Sequence, residues 1–175
     1  EGVTGSDSVS VTVESESSSS QGWTMLDLPD TGKTQSYTDT FGEDSDYTIN
    51  PPSYTDNGDG TVMDNVTSLM WQQEADDTQR TWAEACTYCD DLSLGGFNDW
   101  RLPSKKELLS IVDCGSDNPS IDTTYFSGTN SSYYWSSTTD ADDTSDACFV
   151  NFSAGSVNSY LKSDSNYVRC VRGGQ

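Results

Sequence analysis

Apolar and polar positions along the chain fall into four regimes. Val9-Ser10-Val11-Thr12-Val13 alternates with period two and reads as a strand inside a Ser-, Glu- and Asp-rich stretch, residues 1–22. One strand cannot fold alone, so residues 1–22 form an N-terminal arm or linker, and the folded domain spans 23–175. Residues 23–60 are rich in turn signals, from Pro29-Asp30-Thr31-Gly32 to Asp56-Asn57-Gly58-Asp59-Gly60. Short strands are expected around Ser53–Thr55, Thr61–Met63 and Leu69–Trp71, as a hairpin meander.

From Thr81 the period lengthens. Thr81 and Glu84 have capping-box spacing, and Trp82, Ala85, Cys86 and Cys89 follow at i, i+3, i+4 and i+7. This predicts an amphipathic helix, ended by Leu94-Gly95-Gly96. Ser104 and Glu107 repeat the box for a second helix, with Leu108, Ile111 and Val112 as its buried face and Cys114-Gly115 as its stop. After residue 130 the period returns to two. Strands are expected at Tyr133–Trp135, Cys148–Phe152, Val157–Leu161 and Tyr167–Val171. Helices followed by antiparallel strands give an α+β fold class.

Composition narrows the chemistry. The 175 residues carry 29 acidic and 8 basic side chains, a formal charge of -21. Such a chain repels phosphate backbones and anionic lipid, which argues against nucleic-acid partners, and it attracts hard cations, Ca²⁺ above all. No stretch approaches the length of a membrane span. Histidine is absent, which removes Ser-His-Asp and Cys-His catalysis. Glu1 reads as the start of a processed or excised segment. Five cysteines without metal-site spacing point to disulfides and an extracellular compartment. Cys86-x-x-Cys89 sits inside the expected helix, against the strand-then-helix context of a redox motif.

The segment Gly95-Gly96-Phe97-Asn98-Asp99-Trp100-Arg101-Leu102-Pro103-Ser104 stands out, with Leu69-Met70-Trp71-Gln72, Tyr133-Tyr134-Trp135-Ser136-Ser137 and Val168-Arg169-Cys170-Val171-Arg172-Gly173-Gly174 around it. Together these resemble the C-terminal domain family of a bacterial collagen-like adhesin, over roughly residues 24–175. The Trp-Arg-Leu-Pro element also resembles formylglycine-generating enzymes, but their reactive cysteine pair finds no match here. The resemblance implies a C-type-lectin-like fold, two helices packed on a twisted antiparallel sheet. It implies binding, not catalysis, of a glycan or surface protein at a bacterial cell surface. It also implies a bridge from the first helix to the last strand, Cys89 to Cys170. Cys114 then has two candidate partners, Cys86 and Cys148. The shared buried helix face favours Cys86, leaving Cys148 free and buried or linked to a partner.

Alternation around the motif places Trp100 and Leu102 inward and turns Arg101 the other way, toward carboxylates or carbonyls. Tyr133, Tyr134, Asn151, Asn158, Tyr160 and Lys162 are the candidate ligand contacts, because ring faces pack on sugar C–H groups while amides bond hydroxyls. Trp135 is assigned to the core. Asp140, Asp142, Asp143 and Asp146 form the candidate Ca²⁺ loop. The loop at Asp56–Gly60 matches a calcium loop only in part, because the twelfth position falls on Val66, so a hairpin turn is the preferred reading there. The Val9–Val13 strand suggests a second role, as a subunit of a surface filament assembled by strand addition to a neighbour.

Overall fold

Both capping boxes form. Thr81 caps α1 (Trp82–Asp90), with its side chain accepting from the Glu84 amide while the Glu84 carboxylate accepts from Thr81. Ser104 and Glu107 do the same for α2 (Lys105–Leu109). Each box satisfies two amides that have no partner within the helix. These elements belong to a computed structural model that describes residues 28–47 and 50–174. The arm strand Val9–Val13 lies outside the described residues.

The strands make two antiparallel sheets. In the first, β1 (Tyr54–Asp56), β2 (Thr61–Asp64), β3 (Met70–Gln72) and β7 (Val171–Arg172) lie in that order. In the second, β4 (Tyr133–Thr139), β5 (Asp146–Asn151) and β6 (Ser156–Leu161) form a meander. The fold is therefore α+β, with two antiparallel sheets and few helices. The turn between β1 and β2 runs on the expected residues. Asp56 accepts from the Gly58 amide at 2.8 Å, and Asp59 from Thr61 at 3.1 Å.

Alternation along the strands feeds two cores. Val62, Trp71, Tyr134, Val150 and Phe152 point into one, with Leu108 of α2 and with Ile111, Ile121 and Phe126. Met70, Trp135, Ala147 and Phe149 point into the other, with Ala85 and Cys89 of α1 and with Trp100, Leu102 and Cys170. The helices thus serve different cores. Each large side chain so buried contributes about 1.5–3 kcal/mol relative to exposure. Gly95 sits at φ +61°, where a Cβ would meet Thr61 Cγ2 at 2.7 Å, so only glycine lets the loop after α1 close onto β2.

Two element boundaries differ from expectation. The second helix ends at Leu109, yet Ile111 and Val112 remain buried. The last strand is confined to Val171–Arg172. Tyr167 bridges instead to Tyr134 of the second sheet, while Val171 pairs with Trp71 of the first. The segment from Tyr167 to Val171 crosses from one sheet to the other, so no single ladder runs along it.

Candidate functional site

The exposed aromatic surface is built on the second sheet. Register places Tyr133 opposite Asn151, Phe149 opposite Asn158 and Ala147 opposite Tyr160. These residues share one face, because side chains alternate across a strand. The buried Phe149 ring forms the floor, with ring centroids 4.7 Å from both Tyr133 and Tyr160. Tyr133 and Tyr160 meet edge-on at 5.4 Å. Tyr160 is 40% exposed, and Asn158 stands beside it in solvent. The Tyr160 hydroxyl is held above the usual phenol range by its hydrogen bond with Tyr133, so it stays protonated at neutral pH and keeps a donor proton.

Two other candidates are placed elsewhere, and a third, Asn151, shares the face but is tied into a turn. Tyr134 is fully buried on the opposite face, stacked near Tyr167 and edge-on to Phe152. It cannot share a surface with Tyr133, because neighbours on a strand face opposite ways. Its hydroxyl accepts from the Asn130 amide at 2.9 Å. Lys162 staples a loop, donating to Thr139 Oγ1 and to the Thr144 carbonyl, both at 2.9 Å, with its Nζ 4.6 Å from the Trp82 ring. Asn151 is half-buried and accepts from the Ser153 amide in the turn after β5.

The Trp-Arg-Leu-Pro segment behaves as its alternation predicts. Trp100 and Leu102 are buried, and Arg101 faces the other way. Its guanidinium grips Glu107 with two hydrogen bonds, 2.9 and 2.6 Å, and donates to the Gly173 carbonyl at 2.9 Å. The backbone of Arg101 exchanges two further bonds with Val171. Burial pushes the Glu107 carboxyl up, but Arg101 and the Ser104 amide outweigh it and hold the group below its ordinary value. One charged pair thus ties the motif, the start of α2 and the C-terminal strand together. Beside it runs a groove of about 610 Å³, lined by Cys86, Thr87 and Asp90 of α1 and by Arg101, Ser104 and Ser137.

A family model for the Lcl C-terminal domain matches residues 60–172, well over half of the chain. The chain belongs to this family. No curated protein matches it. The match takes in the Trp-Arg-Leu-Pro segment and both sheets, apart from β1.

Within this Lcl C-terminal domain the bridge Cys89–Cys170 is formed, joining α1 to the segment before β7. The expected Cys86–Cys114 bridge is not. Cys86 lines the groove beside Arg101, whereas Cys114 follows α2, with its amide bonded to the Thr31 carbonyl. The two helices serve different cores, which keeps these thiols on separate surfaces. Cys148 is free and buried on β5.

The acidic loop of the Lcl C-terminal domain bonds largely to itself. Among the described residues no group of three His, Cys, Asp or Glu side chains is placed to hold a metal ion. Asp140 turns its carboxylate onto the Asp142 amide, and Asp143 onto the Ser145 amide, both at 2.9 Å. Asp146 begins β5, and its carboxyl is pushed up by desolvation and by Asp143, Asp140 and Asp164. The Asp140 and Asp143 carboxylates thus close the loop's own turns. No helix among the described residues is long and apolar enough to cross a membrane.

Sequence reasoning passed over Arg169. It is fully buried, donates to the carbonyls of Gln72 and Gln73 and to Thr129 Oγ1, and lies 5.2 Å from the Phe126 ring. Desolvation pulls its pKa down to about 10, so it remains charged at neutral pH. The signal available was an arginine within an otherwise apolar run, Tyr167-Val168-Arg169-Cys170-Val171.

Proposed function

We propose that this domain is an extracellular binding module of a bacterial surface protein, with a C-type-lectin-like fold, and that it takes a glycan or protein ligand on the Tyr133–Tyr160 face. The observation that carries the reading is the exposed Tyr160 ring, propped edge-on by Tyr133 over buried Phe149 and flanked by the exposed Asn158. Rings fixed by their neighbours lose little entropy when they pack on a ligand, and nearby amide and hydroxyl groups supply orientation. The fold reading is supported by two helices, two antiparallel sheets and a bridge from the first helix to the last segment. The bridge also fits an oxidising compartment.

Binding is preferred to catalysis for a chemical reason. Cys86, the thiol in the groove, is pushed up by desolvation, and Cys114 is pushed up by desolvation and by nearby acids. Both stay protonated at neutral pH, which makes them poor nucleophiles.

The test is a glycan array and a surface-protein panel probed with the whole chain, followed by calorimetric titration of each hit. Tyr160→Ala is expected to weaken binding at least tenfold with the melting temperature nearly unchanged, since the ring is already 40% exposed. Equal affinity in wild type and Tyr160→Ala refutes this face as the site.

A further inference from the structure

We propose that the free edge of β6 accepts the Val9–Val13 segment of a second copy of this chain as an added antiparallel strand. Among the described residues β6 has a neighbour on one side alone, β5. The Ser159 amide donates to the Asn158 side chain at 2.9 Å and not to β5. Ladder bonds alternate along an antiparallel strand, so positions 157, 159 and 161 turn their backbone groups toward the open edge, where the Leu161 carbonyl already accepts from the Asp164 amide. The strand itself lacks the usual safeguards, although the Asp140 carboxylate bonds the Ser159 side chain beside it. Its sequence, Ser156-Val157-Asn158-Ser159-Tyr160-Leu161, holds no charge and no proline, and Val157 and Leu161 are 38% and 51% exposed.

The arm matches it in period and in charge. Val157 and Leu161 share a face with Val150, and Asn158 and Tyr160 share the other with Phe149. An added strand that sets Val9, Val11 and Val13 beside Val157 and Leu161 extends the apolar face. It also lays Thr12 beside Asn158 and the small Ser10 beside Tyr160, whose ring is left open. The window Ser8-Val9-Ser10-Val11-Thr12-Val13 carries no charge in a chain of net -21. Two copies therefore meet through segments that do not repel.

The spacer is long enough for the arm to reach a neighbour beyond its own edge. Leu28 lies in a cavity with Gly155, in the turn that begins β6. An arm folding back antiparallel from that point needs a short turn of a few residues. The chain instead supplies fourteen, residues 14–27, rich in Ser and Glu. Extended, they reach about 46 Å, beyond the roughly 40 Å width of a domain this size. Head-to-tail addition of this kind builds a filament wherever its rotation does not close a ring.

Two variants of the full chain separate donor from acceptor. Val11→Pro disables the arm. Ser159→Pro blocks the edge at an amide that β5 does not use, and Val157→Lys serves if the proline variant melts early. Sedimentation and electron microscopy across a concentration range read the outcome. The wild type is expected to form filaments, and each variant alone to remain monomeric. An equimolar mixture of the two is expected to give a one-to-one dimer and nothing longer. A wild type that stays monomeric at hundreds of micromolar, including one whose arm is protected from exchange on its own edge, overturns the proposal. So does a variant that assembles like the wild type.

Discussion

Replacing both Cys89 and Cys170 with alanine removes a cross-link that spans 81 residues of sequence. Both cysteines are fully buried in the core beneath α1. In the chain-entropy treatment a loop of that length restricts the unfolded ensemble by about 4.5 kcal/mol at 25 °C. For a domain of this size that corresponds to a fall in melting temperature of about 10–18 °C. The paired assay is thermal unfolding by circular dichroism and thiol titration in denaturant without reductant. The wild type should titrate three thiols, those of Cys86, Cys114 and Cys148, and no more. Cys148→Ala is the control, because it deletes a buried sulfur without touching a cross-link and is expected to cost about 1 kcal/mol. Five thiols in the unfolded wild type refute the bridge. A double variant that melts within about 3 °C of the wild type refutes the energetic argument.

Arg169→Met leaves the carbonyls of Gln72 and Gln73 and the Thr129 hydroxyl without their donor in a buried site, and denaturant titration should show a loss of about 2–5 kcal/mol; a loss under 1 kcal/mol would contradict that role. The Glu107 carboxyl titrates below its ordinary 4.5 in the folded chain, so its contribution is present above that pH and is lost as pH falls through the folded-state value. Glu107→Gln should therefore cost about 1–2 kcal/mol at pH 7 and flatten the acid limb of the stability curve, and an unchanged acid limb counts against the Arg101 latch. Millimolar calcium against chelator should shift the melting temperature by less than about 1 °C, because Asp140 and Asp143 already close their own turns; a shift above about 5 °C, the scale of a well-occupied site, would reinstate the acidic loop as a metal site.

Local chemistry made much of the fold legible. Capping boxes bind within four residues, so Thr81/Glu84 and Ser104/Glu107 could be read without tertiary context, and both formed. The apolar stripe past Leu108 misled, because such a stripe reports burial and not helix. Ile111 and Val112 are buried in the turn that follows α2, where the Ser110 hydroxyl donates to the Glu107 carbonyl. The final strand failed for another reason. Alternation assumes one sheet with two faces, but Val168, Arg169, Cys170 and Val171 are all buried as the chain passes between two sheets. The burial of Arg169 follows from that crossing; the apolar run around it signals burial, but alternation alone does not reveal which partners it meets.

The candidate site was legible only in part, since a residue's face depends on its partner strand. Tyr133 and Tyr134 are equivalent in sequence, yet one props an exposed ring and the other lies in the core. The acidic composition also has a use within the fold. Many of these carboxylates accept from a backbone amide two residues on: Asp56 from Gly58, Asp59 from Thr61, Asp64 from Val66, Asp113 from Gly115, Asp122 from Thr124, Asp140 from Asp142 and Asp143 from Ser145. An aspartate in that role supplies the bond that a loop lacks when it has no ladder neighbour. Much of the net charge is therefore spread over the turns between strands and not gathered at one centre. A chain charged this way repels its own copies across most of its surface. Association is then favoured along its uncharged stretches, and the exposed edge of β6 is one of them.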